Sequence, residues 1–150
     1  NEELIPLVSD HYFQKTSQNK KLIELNPYAK EILNWLKSRN INTGIVTSKD
    51  QIRTYELVEL FNLNLDVIVT PELTQRGKPN AEPILYANKI LKSDKENSLF
   101  IGDMKSDMLC AKNSKCKYLH YMDGYGGNDL VSYGGTIYSI YELKEYLLNF

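Results

Sequence analysis

From residue 41 onward, short β-branched or aromatic runs alternate with stretches of helical periodicity. A strand that must pass through a helix before the next strand begins can only build a parallel sheet. Strands are expected at Ile41 to Thr47 (INTGIVT), Leu65 to Thr70 (LDVIVT), Ser98 to Asp103 (SLFIGD) and Lys117 to Tyr121 (KYLHY), with a short fifth at Thr136 to Ile140. Helices are expected from Pro27 to about Arg39, Ser48 to Phe61, Asn80 to Lys92, Ser106 to Asn113 and Tyr141 to Leu148. Ser48-Lys49-Asp50-Gln51 has the S-x-x-Q form of a capping box, which puts Ser48 at the start of the second of these helices. The fold class is therefore α/β: three layers, a parallel sheet with helices on both faces. Further upstream, Leu4, Ile5, Val8, Tyr12 and Phe13 recur at helical spacing and make Glu2 to about Ser17 an amphipathic helix. No repeat, low-complexity tract or linker divides the chain.

Bulk properties exclude several classes of function. Eighteen basic and nineteen acidic residues leave a formal charge of -1, so no global attraction to nucleic acid or to an anionic membrane surface is expected. The apolar runs are far shorter than the ~20 residues of a membrane-spanning helix. No basic segment followed by an apolar core marks a signal peptide, so the cytoplasm is the expected location. Cys110 and Cys116 match neither a zinc knuckle nor a C-x-x-C pair and are expected to be reduced, packed thiols. The chain opens on Asn1 rather than methionine, which leads us to expect a longer protein.

In a doubly wound sheet, ligands bind at the carboxyl ends of the strands. The strands here end in Thr47-Ser48, Thr70-Pro71, Gly102-Asp103 and the loop DGYGGND. In IGDMKSDM, a strand delivers Asp103, and Asp107 follows four residues later on the same side of the next helical turn. Two converging oxygen ligands suit Mg²⁺, which takes one or two carboxylates and completes its shell with water and phosphate oxygens. The plainer alternative is that Asp107 complements the helix dipole while Asp103 caps the helix. Lys78, between Gly77 and Pro79, can reach a phosphate or hold a carboxylate ionised, although most lysines are only solvated. Thr47 offers a hydroxyl and Ser48 a backbone N–H beside a helix N-terminus, a natural phosphate cradle, unless both are merely structural. His11 and His120 are expected not to pair. The crowded tyrosines near the C-terminus are expected to pack strands, and glycine turn chemistry accounts for the DGYGG loop.

Taken in order, GIVTSK with Thr47, RGKPNAEPIL with Lys78 and IGDMKSDM with Asp103 and Asp107 resemble the second, third and fourth motifs of the haloacid dehalogenase superfamily. The resemblance is closest to its phosphoglycolate phosphatase-like branch and runs over nearly the whole chain. It implies a Rossmann-like core in which Thr47, with Ser48, binds the transferring phosphoryl group. Lys78 would neutralise phosphate charge, Asp103 would bind Mg²⁺, and Asp107 would be a ligand or stand just behind one. In this family the nucleophile is the first aspartate of a D-x-D motif, which forms an aspartyl-phosphate, and the second aspartate serves as general acid and base.

No such D-x-D motif occurs in this chain: the nearest candidates, Asp10 and Asp66, fall in a helix and before a strand. The resemblance places the missing motif upstream, on a central strand between the one ending at Thr47 and the one ending at Asp103. Residues 1–20 would then be the last helix of a cap domain and residues 21–150 an incomplete core. A break in the sheet is expected, to be filled by an upstream segment or by a second chain. The function implied is hydrolysis of a small phosphorylated metabolite. The alternatives are a catalytically silent binding domain and, less favoured, a phosphomutase.

Overall fold

The structure is a computed structural model that describes residues 22–124, 126 and 133–149. The helix expected over Glu2 to Ser17, the cap remnant over residues 1–20, His11 and most of the DGYGGND loop lie outside the described residues. In chain order the elements are α1 (Ala29–Ser38), β1 (Gly44–Val46), α2 (Gln51–Leu60), β2 (Val67–Val69), α3 (Glu82–Leu91), β3 (Leu99–Gly102), α4 (Lys105–Ser114), β4 (Lys117–Tyr121), β5 (Gly135–Ile137) and α5 (Ile140–Leu148). Two 3₁₀ turns, Pro71–Leu73 and Lys95–Asn97, join them.

Every strand pairing is parallel, but the described residues form two sheets rather than one. β1 pairs with β2, with Gly44 opposite Val67 and Val46 opposite Val69. The second sheet has the order β3-β4-β5, with Gly102 opposite His120 and Tyr121 opposite Ile137. Among the described residues no pairing joins the two sheets; the resemblance expects a further strand between β1 and β3. Burial follows the break: no residue of β1 or β3 is fully buried, whereas Tyr118, Leu119 and His120 of β4 and Val67 and Val69 of β2 are.

The strand period of two sorts the core into layers. Leu99, Ile101, Leu119, Tyr121 and Ile137 face α1 and α5, packing with Ile32, Leu36 and Leu143. Phe100 and Tyr118 point the other way, onto Ile84 of α3 and Met108, Cys110 and Ala111 of α4. A third cluster seats Ala87 of α3 on Val67 and Val69, with Val46 alongside. Helices thus cover both faces of the larger sheet, as the strand and helix alternation requires. Both cysteines are free and buried, as expected.

Contacts across the break hold the two sheets in one body. α3 packs on α4. α1 contributes to the core of the larger sheet, while Lys37 Nζ reaches Asp66 at the start of β2, 2.6 Å away. The same Asp66 carboxylate accepts the Thr43 N–H at 2.9 Å. The Lys37 hydrogen bond, then that of the Thr43 amide, hold the Asp66 carboxyl below its ordinary range.

The capping expectation is corrected. α2 begins at Gln51 with Asp50 as its N-cap, and Ser48 stands outside the helix. The Asp50 carboxylate accepts the Arg53 N–H at 2.9 Å and also pairs with the Arg53 guanidinium. A serine hydroxyl at position 48 offers neither contact. β1 is also shorter than the expected run of seven residues, because its ladder extends only as far as Val67–Val69 can pair with it.

Candidate functional site

The carboxyl ends of β1 and β3 lie on either side of the break, and Lys78 spans it. The lysine sits in the loop between the Pro71–Leu73 turn and α3, next to a cis Lys78–Pro79 peptide. Its ammonium donates to the Val46 carbonyl, at the end of β1, at 3.3 Å and to Asp107 Oδ1, in the first turn of α4, at 2.6 Å. The two side chains are only 12% and 6% exposed, so this ion pair is largely removed from solvent.

Asp107 does two things at once. While Oδ1 takes the lysine, Oδ2 accepts the Met104 N–H at 3.0 Å, satisfying an otherwise orphaned donor at the helix start. The plainer expectation for Asp107 is therefore met together with the lysine pairing. For Asp103 it is not: the N-cap of α4 is Met104, which leaves Asp103 before the helix, at the strand end.

Glycines crowd these carboxylates. A Cβ on Gly102 would strike the Asp107 carboxylate, and one on Gly124 or Gly126 would strike Asp103. The two aspartates therefore sit in a cradle of bare backbone that any side chain at those positions would fill.

On the β1 side, the Thr47 N–H donates to the Val69 carbonyl at 3.0 Å, extending the ladder by one residue. Its hydroxyl oxygen accepts the Lys49 N–H at 3.0 Å, which leaves the hydroxyl proton available to another acceptor. Ser48 beside it is exposed. Thr47, Lys78 and Asp107 are linked through β1 and the lysine, and Asp103 joins them through the short β3–α4 connection. Asp66, a nominal candidate for the nucleophile, lies at the opposite end of the sheet, tied to Lys37 and Thr43.

The sequence profile of the haloacid dehalogenase-like hydrolase family matches residues 1–121. The chain belongs to this family. Pyrophosphatase PpaX of Halalkalibacterium halodurans is 29% identical over 118 residues, which are 77% of this chain and 55% of that protein. Phosphoglycolate phosphatase of Neisseria gonorrhoeae is 31% identical over 103 residues, 67% of this chain and 44% of that one. Among solved structures, a hydrolase from Pseudomonas syringae superposes with a TM-score of 0.90 at 25% identity, covering 99% of this chain and 71% of its own. The chain spans about half the length of the curated relatives it matches.

Among the described residues, no group of three or more His, Cys, Asp or Glu side chains could hold a metal ion. Both Asp107 oxygens are engaged, by Lys78 and by the Met104 N–H, while Asp103 stands at the strand end against bare glycine backbone. One or two carboxylates in a glycine cradle fit Mg²⁺, which keeps most of its waters, and do not fit a four-ligand Zn²⁺ site. No helix among the described residues is long and apolar enough to cross a membrane.

Tyr118 and His120, expected from the sequence only to pack or stay unpaired with His11, join the strand end bearing Asp103 to the buried centre of the sheet. The Tyr118 hydroxyl donates to the Gly102 carbonyl at 2.9 Å and lies 2.9 Å from His120 Nδ1. The signal was their i, i+2 spacing on the strand KYLHY, which puts both on one face.

Proposed function

We propose that this chain forms the larger part of the core of a Mg²⁺-dependent phosphohydrolase acting on a small phosphorylated metabolite of the cytoplasm. The observation that carries the reading is Lys78, fixed between the Val46 carbonyl and Asp107 with its ammonium at the point where the two strand ends converge. Phosphoryl transfer asks a protein mainly for positioning and charge compensation. A hydroxyl donor at Thr47, the ammonium of Lys78 and the carboxylate of Asp103 supply these from three separate loops. Asp107 orients the lysine. Thr47, Ser48 and Lys78 would bind phosphate oxygens, and Asp103, with Asp107 behind it, would hold Mg²⁺. Bound Mg²⁺ would contribute charge neutralisation on the phosphate.

The nucleophile belongs in the break. An aspartate on a strand between β1 and β3 would emerge at the edge that carries Thr47 and Asp103. Its carboxylate would attack phosphorus, the ester P–O bond would break, and the leaving oxygen would take a proton from a neighbouring acid. Water would then hydrolyse the aspartyl-phosphate. The half-buried state of β1 and β3 supports a strand there, whether from an upstream segment or from a second chain.

Assaying the full-length protein with 4-nitrophenyl phosphate and with pyrophosphate, with and without Mg²⁺, tests the reading. Mg²⁺-dependent release of phosphate is expected, falling at least about a hundredfold in Asp103→Asn and Lys78→Ala. No turnover of either compound by the full-length protein would overturn it in favour of a catalytically silent binding domain.

A further inference from the structure

β4 carries a buried polar relay to which the roles above give no part. His120 is fully buried, and its Nε2 has no hydrogen-bond partner among the described residues. Its Nδ1 is 2.9 Å from the Tyr118 hydroxyl, which is also 2.9 Å from the Gly102 carbonyl oxygen. A carbonyl can only accept, so the phenolic proton goes to Gly102, and Nδ1 carries the proton that it donates to the phenol oxygen. The reverse assignment would leave two oxygens in contact with no proton between them and would bury an Nε2–H without an acceptor. Nδ1 of His120 therefore carries a proton. Burial first, then the carboxylates of Asp107 and Asp103, push the Tyr118 hydroxyl upward, so it remains a donor throughout the ordinary pH range.

What the relay restrains is a glycine. Position 102 must be glycine because the Asp107 carboxylate occupies the space of its Cβ, yet glycine is the residue that restricts its own backbone least. The peptide whose carbonyl Tyr118 holds is the one whose nitrogen belongs to Asp103.

We propose that Tyr118, aligned by His120, is a positioning residue for Asp103. By holding the Gly102 carbonyl it fixes the peptide plane from which Asp103 departs, and so the direction in which the Asp103 carboxylate is presented to a divalent cation. The inference rests on the assignment of Asp103 as the cation-binding carboxylate. It extends that assignment to two side chains that need not touch cation or phosphate.

Titration of the full-length protein with Mn²⁺, followed by the electron paramagnetic resonance of the free ion, provides the test. Tyr118→Phe is expected to weaken Mn²⁺ binding about tenfold, while KM for 4-nitrophenyl phosphate at saturating metal changes by less than about twofold. His120→Gln, whose amide keeps a donor for the phenol oxygen, is expected to bind Mn²⁺ more tightly than His120→Leu. A merely structural role would lower the melting temperature of Tyr118→Phe and leave its metal affinity at the wild-type value, which overturns the inference. If the wild-type protein itself binds no Mn²⁺, the assignment of Asp103 fails instead. Imidazole ¹⁵N spectra of the wild-type protein give an answer that needs no variant to fold: a proton on Nδ1 is expected, and one resident on Nε2 would overturn the relay.

Discussion

Lys78 has two acceptors, the Val46 carbonyl of β1 and the Asp107 carboxylate of α4, so one side chain ties the smaller sheet to a helix packed on the larger one, beside its proposed part in the chemistry. Removing its charge leaves Asp107 buried with only the Met104 N–H as partner, and an uncompensated buried carboxylate is costly. Lys78→Met, which keeps the apolar stem, is expected to destabilise the fold by about 3 kcal/mol in urea unfolding. Lys78→Met combined with Asp107→Leu should recover part of that loss, because no buried charge is then left unpaired. Additive losses in the double variant would show that the two residues are not coupled. The sequence placed Asp103 at a strand end, Asp107 four residues later and Lys78 between Gly77 and Pro79 before a helix. It could not show the division of labour between the aspartates, which depends on Asp107 Oδ2 turning back to the Met104 N–H. Nor could it show that His120 is buried with Nδ1 satisfied and Nε2 without a partner among the described residues.

The elements were more legible than their caps. Lys117–Tyr121 runs over the expected residues, because an apolar strand with neighbours on both sides has its ends set by its own pattern. β1 and β3 contract instead, and each has one ladder partner among the described residues. In the S-K-D-Q segment two residues could cap, and the carboxylate prevailed because it takes both the Arg53 N–H and the guanidinium. Asp50→Ala is therefore expected to cost about 1 kcal/mol, and Ser48→Ala no more than about a few tenths. Equal losses in thermal unfolding would restore the serine as the cap. At the break, the amides of β1 and β3 should exchange with deuterium much faster than those of Tyr118, Leu119 and His120 in the 150-residue chain. Extending the chain with a strand that fills the break should slow β1 and β3 selectively. Uniform protection of all five strands without such a strand would mean that the break leaves no exposed ladder.

At the scale of the molecule, two half-sheets joined by α1, by the α3–α4 contact and by one buried ion pair make a body with a weak seam. Trp35, the only tryptophan, packs against the cluster of Ile32, Leu36, Leu119, Ile137 and Leu143, so its fluorescence reports the larger half. Far-ultraviolet circular dichroism reports both halves. Because cooperativity requires every part to depend on every other, the two signals should give separate urea midpoints in the 150-residue chain and a single one when a strand closes the break. Coincident midpoints in both would show that the existing ties suffice. Burial pushes Cys110 and Cys116 from 9.0 up to about 11, so between those values the unfolded chain has released thiol protons that the folded chain still holds. Stability is full below pH 9 and falls as pH rises toward 11, each thiol removing about 1.4 kcal/mol per pH unit across that window. The fluorescence midpoint should therefore drop between pH 9 and 10.5, and the drop should shrink in Cys110→Ala. An unchanged midpoint over that range would mean that the thiols ionise in the folded protein as readily as in the unfolded one.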